Sequence, residues 1–122
     1  MPATDTMTAP NAEPLVIELP DLAELPAAAL VRLGAELRER TAPAPRAAGP
    51  RIVLDHSRLT GLTSAVIGLM AEVRRTVAAA GGRLAIAGMP AKLMPTFRLS
   101  RLDSVFEFHP DAAAAVAALR AG

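Results

Sequence analysis

The 122-residue sequence contains no cysteine, no tryptophan and no tyrosine. Without cysteine there is no disulfide frame, no thiol nucleophile and no thiolate metal site. That fits a reducing compartment, and the cytoplasm is the expected location. The only aromatic residues are three phenylalanines. A stacking platform for single-stranded nucleic acid needs exposed rings, so that class of function is set aside. Thirteen basic residues stand against twelve acidic ones, for a net charge of +1. Such a balance argues against a dedicated DNA- or RNA-binding surface. No apolar run approaches the roughly 20 residues that span a bilayer, so no membrane partner is expected. The opening "MPATDTMTAPNAEP" has neither a basic n-region nor an apolar h-region, so a secretory signal is not expected either.

What is present is aliphatic. Hydrophobic residues make up 52% of the chain, enough for a core of Leu, Val, Ile, Met and Ala in one small domain. Residues 1–14 are polar and Pro-containing and read as a disordered tail. The folded part is expected over residues 15–120. "LVIEL" (15–19) is β-branched and stopped by Pro20, so it reads as a strand. In residues 25–40, Leu30, Leu33 and Leu37 recur at helical spacing. "TAPAPRAAGP" (41–50) has no periodicity and reads as a loop. "RIVLD" (51–55) is apolar at its centre, as in a strand buried on both faces.

Residues 63–79 form the main helix, with Val66, Leu69, Met70, Val73 and Val77 as its core stripe. Gly81 and Gly82 end it, because glycine accepts the left-handed conformation found there. "RLAIAG" (83–88) is a third strand, and 90–99 reads as short helical turns interrupted at Pro95. "VFEF" (105–108) is a short strand, and "HPDAAAAVAALRAG" closes the chain as a helix with Pro110 and Asp111 in its first turn. Strands alternating with helices imply crossover connections. The fold class is therefore α/β, a four- or five-stranded, mostly parallel sheet packed with about four helices. Functional loops in such sheets leave the C-terminal ends of the strands. Thr60 to Ser64 is one of these loops.

Little in the sequence suggests catalysis. There is no G-x-G-x-x-G or G-x-x-x-x-G-K-[ST], and Gly81–Gly82 follows a helix rather than a strand. No cofactor is expected. A Ser/His/Asp set could be drawn from Ser64, His56 and one of Asp55, Asp103 or Asp111, but no G-x-S-x-G elbow is present. His56 reads as a polar residue just past a strand, and His109 as the residue before a helix-starting proline. Two histidines without cysteine offer no structural metal site. The pairs Glu36–Arg40 and Glu72–Arg75 fit helical spacing and are expected on solvated faces.

The informative stretch is "LTGLTSAVIGLM" (59–70). One hydroxyl suffices to cap a helix, and Thr63 and Ser64 supply two. Gly61, Ala65 and Gly68 are small, and positions 65, 68 and 72 share a side turned away from much of the core stripe. Small residues on an outer face allow another protein to approach closely. A phosphate at Ser64 would suit the helix N-terminus electrostatically.

The order of motifs resembles the STAS family, the domain of anti-sigma-factor antagonists. It is carried by "RIVLDHSRLTGLTSAVIGLM", "AAGGRLAIAGMP" and "RLDSVFEFHPDAAAAV". The family pattern is an apolar strand ending in Asp, a short turn, a Ser heading a helix that contains Gly, and a Gly-Gly before the next strand. A Leu-Asp-x-x-Phe segment and an Ala-rich last helix follow. The resemblance spans roughly residues 15–119. It implies a non-enzymatic partner switch that binds an anti-sigma factor with serine kinase activity and so frees a sigma factor. By the same resemblance, the kinase phosphorylates the Ser at the helix head, and a phosphatase resets it. The matching residue here is Ser64, with Thr63 as an alternative acceptor; the family's usual residue before that Ser is Asp. The implied partner-binding residues are Gly61, Leu62, Thr63, Ala65, Gly68 and Glu72. The family also opens with an extra strand, for which only the Pro-rich tail is available. Two alternatives stand beside this expectation: a STAS scaffold that is never phosphorylated, and a small α/β hydrolase using His56.

Overall fold

The computed structural model describes residues 14–41 and 49–121. Residues 1–13 of the tail expected over 1–14, any strand within them, and most of the 41–50 loop lie outside the described residues. Within them the chain runs β1 (Leu15–Glu18), α1 (Ala27–Thr41), β2 (Arg51–Asp55), α2 (Ser64–Ala79), β3 (Arg83–Ala87), α3 (Met94–Leu99), β4 (Glu107–His109) and α4 (Ala112–Ala121). Single 3-10 turns lie at Leu22–Glu24, Ala91–Leu93 and Leu102–Ser104. The four strands form one sheet in the order β1-β2-β3-β4, and every pairing is parallel.

That order fixes where the helices go. Right-handed crossovers that keep stepping the same way along a sheet stack their helices on one face. Residues of α1, α2 and α3 accordingly share a core with Ile17, Ile52, Leu54, Leu84 and Ile86. The last helix, α4, lies on the other face. There Ala115 and Leu119 of α4 pack on Val53, Ala85 and Ala87. The alanines at this contact leave room for an Ala-rich helix to come close. The Arg51 guanidinium donates to the carbonyl of Leu119 and ties α4 to β2. β2 and β3 are therefore covered on both faces, which is why they read as unbroken apolar runs.

All five residues of the predicted α2 stripe are buried. Gly81 has φ +76, Gly82 N–H donates to Val77 O at 2.9 Å, and Gly81 N–H donates to Ala78 O at 2.9 Å. This is the six-to-one and five-to-two bond pair of a Schellman ending. Gly82 has a second reason to be glycine, which sequence did not reveal. A Cβ there would lie 2.2 Å from Pro50 O, the acceptor of a 2.8 Å bond from Arg83 N–H. The three phenylalanines, Phe97, Phe106 and Phe108, meet edge-on with centroids 5.0 to 6.2 Å apart. They pin α3 and β4 to the core on the α1–α3 face of the sheet, the front core.

The structure moves several boundaries. β4 spans 107–109, not 105–108, because Val105 N–H closes the preceding turn onto Leu102 O at 3.0 Å. Pro95 does not interrupt a helix but sits in the first turn of α3, where its missing N–H costs nothing. Asp111 lies before α4 rather than inside it, and its Oδ1 accepts from Ala114 N–H at 2.8 Å. His109 ends β4 instead of standing in a loop, and bonds Glu107 at 2.8 Å. Neither Glu36–Arg40 nor Glu72–Arg75 pairs. Glu72 instead meets Arg38 across the α1–α2 seam at 3.0 Å, an exposed contact of little energetic weight. No described helix is long and apolar enough to cross a membrane.

Candidate functional site

The segment between β2 and α2 is built from alternating anchors and exposed residues. At its start Asp55 Oδ1 accepts from Ser57 N–H at 2.9 Å. Leu59 N–H donates to His56 O at 3.0 Å, and the Leu59 side chain is buried in the front core. Thr60 is exposed and bonds across to Asp21. Gly61 and the half-buried Leu62 lead to Thr63, whose extended backbone (φ −122, ψ 164) stops the helix from starting earlier.

The two hydroxyls have different surroundings. Thr63 Oγ1 accepts from Val66 N–H at 3.1 Å, satisfying one of the orphan donors of the first turn. Ser64 is the first helical residue, is exposed, and its hydroxyl makes no hydrogen bond within the described residues. One hydroxyl is used by the fold and the next is left over. Thr63→Ala should therefore lower stability by about 1 kcal/mol, the worth of a cap, measured by urea denaturation. A loss near zero would show that water caps the helix as well.

Beside Ser64 runs an open groove of about 400 Å³ between α1 and α2. Leu30, Val31 and Gly34 form one wall, Ala65 and Leu69 the other, and the Arg38–Glu72 pair lies at its edge. Gly34 lets the helices close up, since a Cβ there would sit 3.0 Å from Leu69 Cδ1. Val31 is 70% exposed, unusual for a β-branched apolar residue. Of the residues singled out from sequence, Thr63, Ser64, Ala65, Gly68 and Glu72 are exposed together along α2. Gly61 and Leu62 are half-buried, and Leu62 packs against the front core. A Cβ at Gly68 would meet nothing within 4 Å. Sequence inspection missed Val31 and Asp21. The signal for Val31 was present: it stands off the Leu30/Leu33/Leu37 stripe.

The hydrolase constellation does not assemble. His56 is buried with 1% exposure, and neither ring nitrogen has a hydrogen-bond partner. Burial holds its pKa down at about 4, against a weaker upward pull from Asp55. It bonds neither Ser64 nor a carboxylate, so the links that activate a serine are missing. Asp111 is occupied as the cap of α4. Among the described residues no group of three His, Asp or Glu side chains could hold a metal ion.

A family model described as "Mlab, STAS domain" matches residues 23–107, well over half of the chain. The protein belongs to the STAS domain family. The match includes the whole β2–α2 segment and both walls of the groove. The fold is similar to that of an anti-sigma-factor antagonist (STAS) domain protein from Planctomyces limnophilus, at 14% identity over 85% of this chain and 88% of that one, with a TM-score of 0.72. It is also similar to a serine-to-glutamate variant of RsbS from Moorella thermoacetica, at 14% identity over 89% of each chain, with a TM-score of 0.72. No curated relative matches by sequence. At such identities the two structures establish the shared STAS fold.

Proposed function

We propose that this STAS protein is an anti-sigma factor antagonist, carried by residues 15–120. It docks a serine-kinase anti-sigma factor in the cytoplasm, releases the bound sigma factor, and is switched by phosphorylation of Ser64. The observation that carries this reading is the division between Thr63, engaged as a cap, and Ser64, exposed and unengaged beside the groove. The docking face is Thr63, Ser64, Ala65, Gly68 and Glu72, flanked by Gly61 and Leu62 and extended by Val31 across the groove.

The chemistry of the switch follows from the helix terminus. A phosphate on Ser64 adds roughly −1.5 to −2 charge at a helix N-terminus, where free N–H groups and the dipole favour anions. The fold therefore tolerates it. A partner seated on the apolar groove does not, because the dianion must be stripped of water against groups matched to a neutral hydroxyl. Release then needs little change of backbone. A phosphatase returns the protein to its docking form. The protein itself performs no catalysis in this scheme.

Mass spectrometry of the protein from its native cells tests the switch. Phosphate on Ser64, or on Thr63 as second acceptor, is expected. A second reading, a STAS docking module that is never phosphorylated, is favoured by Thr63 standing where the resemblance leads one to expect Asp. Persistent absence of phosphate together with tight partner binding would select it.

A further inference from the structure

The loop that presents Ser64 is held from a distance by one carboxylate. Asp21, in the connection after β1, accepts from Thr60 N–H at 3.0 Å through Oδ1 and from the Thr60 hydroxyl at 2.5 Å through Oδ2. Oδ1 also accepts from Ala23 N–H at 3.1 Å, capping the turn Leu22–Glu24. Both ends of this clamp are bolted to the core: Leu22 follows Asp21, Leu59 precedes Thr60, and both are buried. Lys92, in the turn after β3, adds a favourable charge to the same carboxylate. Asp21 thus joins the connections leaving β1 and β2, with a charge contributed from the one leaving β3.

From Thr60 only three residues remain before α2 begins at Ser64. Of residues 60–63 only Leu62 packs against the core, and Gly61 has no side chain to hold it. Without the clamp, the nearest core anchor upstream is Leu59, and the entry angle of the chain into α2 is set by Leu62 and the Thr63 cap alone. We infer that Asp21 is a positioning residue for the docking face: by gripping Thr60 through both its backbone and its hydroxyl, it fixes the segment that holds Thr63 and Ser64 toward a partner. This rests on the docking reading of Ser64. It adds that the face is pre-organised, so that a partner need not spend binding energy ordering the loop.

The test is amide hydrogen exchange by NMR on the free full-length chain, which needs neither the partner nor any phosphate. Thr60→Val keeps the shape but removes the hydroxyl, and leaves the Asp21–Ala23 bond in place. Thr60→Ser keeps the hydroxyl and removes the methyl. In Thr60→Val and in Asp21→Ala, the amides of Thr60, Val66 and Ile67 should exchange roughly five-fold faster or more. Those of β2 and β3 should be unchanged, and Thr60→Ser should match the wild type. Unchanged exchange at the three amides would overturn the inference. So would a uniform acceleration across the sheet, which would make the clamp a matter of global stability. Loosening by Thr60→Ser but not by Thr60→Val would assign the role to the methyl group and overturn it too. Because exchange is read without a partner, a failure here is separable from a failure of the phosphorylation switch.

Discussion

Val73→Asp should leave no folded protein at neutral pH. Val73 is fully buried at the middle of α2, in the core shared with β2 and β3. It belongs to an apolar cluster, so an introduced carboxylate lacks compensating partners there. An uncompensated buried charge costs several kcal/mol or neutralises at a similar cost. The lost valine packing adds a little more. A domain of this size has about 5–15 kcal/mol in total. Circular dichroism should show loss of the cooperative thermal transition. Arg75→Asp, exposed on the same helix, should keep the transition, with a change of about 0.5 kcal/mol or less. A cooperative melt for Val73→Asp near that of the wild type would mean that α2 presents a different face to the sheet.

Acid should cost the fold about 3 kcal/mol through one residue, His56. Burial depresses its folded pKa from an ordinary 6.5 to about 4, while the unfolded chain keeps the ordinary value. Between these limits the unfolded state binds a proton that the folded state refuses. Stability is therefore complete above pH 6.5 and falls as pH drops toward 4, at roughly 1.4 kcal/mol per pH unit. Two carboxyls, Asp21 and Glu107, are themselves held below their usual range. For Asp21 the leading cause is the Thr60 hydroxyl. For Glu107 burial pushes upward, but hydrogen bonds from Arg83 and His109 outweigh it. Their stabilisation disappears only at the acid end of this window and below. The decline between pH 6.5 and 5 is thus where His56 can be read. His56→Leu, close in volume and free of unpartnered nitrogens, should flatten that part of the curve. At pH 7.5 it should change stability by less than about 1.5 kcal/mol. Parallel decline of wild type and His56→Leu in urea titrations would show that the ring finds a partner in solution.

The parts of the molecule that follow local rules were legible in the sequence. The α2 stripe and its glycine ending follow from spacing, because each is set by neighbours within a few residues, and the doubly buried β2 shows in its unbroken apolar run. β4 begins two residues later than the expected strand "VFEF". Phe106 is in fact buried from a turn, packed against Phe97, and only the tertiary position of α3 decides that. His56 looked like an ordinary polar residue past a strand end. Its burial depends on what the β2–α2 segment folds over it. At the candidate site, the doubled hydroxyl and the small residues were readable, since one helix carries them all. Asp21 was not, because Thr60 lies 39 residues away in sequence. Nor was the groove, which exists only where α1 and α2 leave Val31 uncovered.

The most direct measurement is the affinity of wild type, Ser64→Ala and Ser64→Asp for the anti-sigma kinase captured from the native cell, with and without ATP. Without ATP, wild type and Ser64→Ala should bind alike. ATP should release the wild type and leave Ser64→Ala bound. Ser64→Asp should remain folded yet bind roughly a hundred-fold more weakly under both conditions, since a charge must be buried without a partner. Equal affinities for Ser64→Asp and wild type, with no response to ATP, would contradict a switch at Ser64.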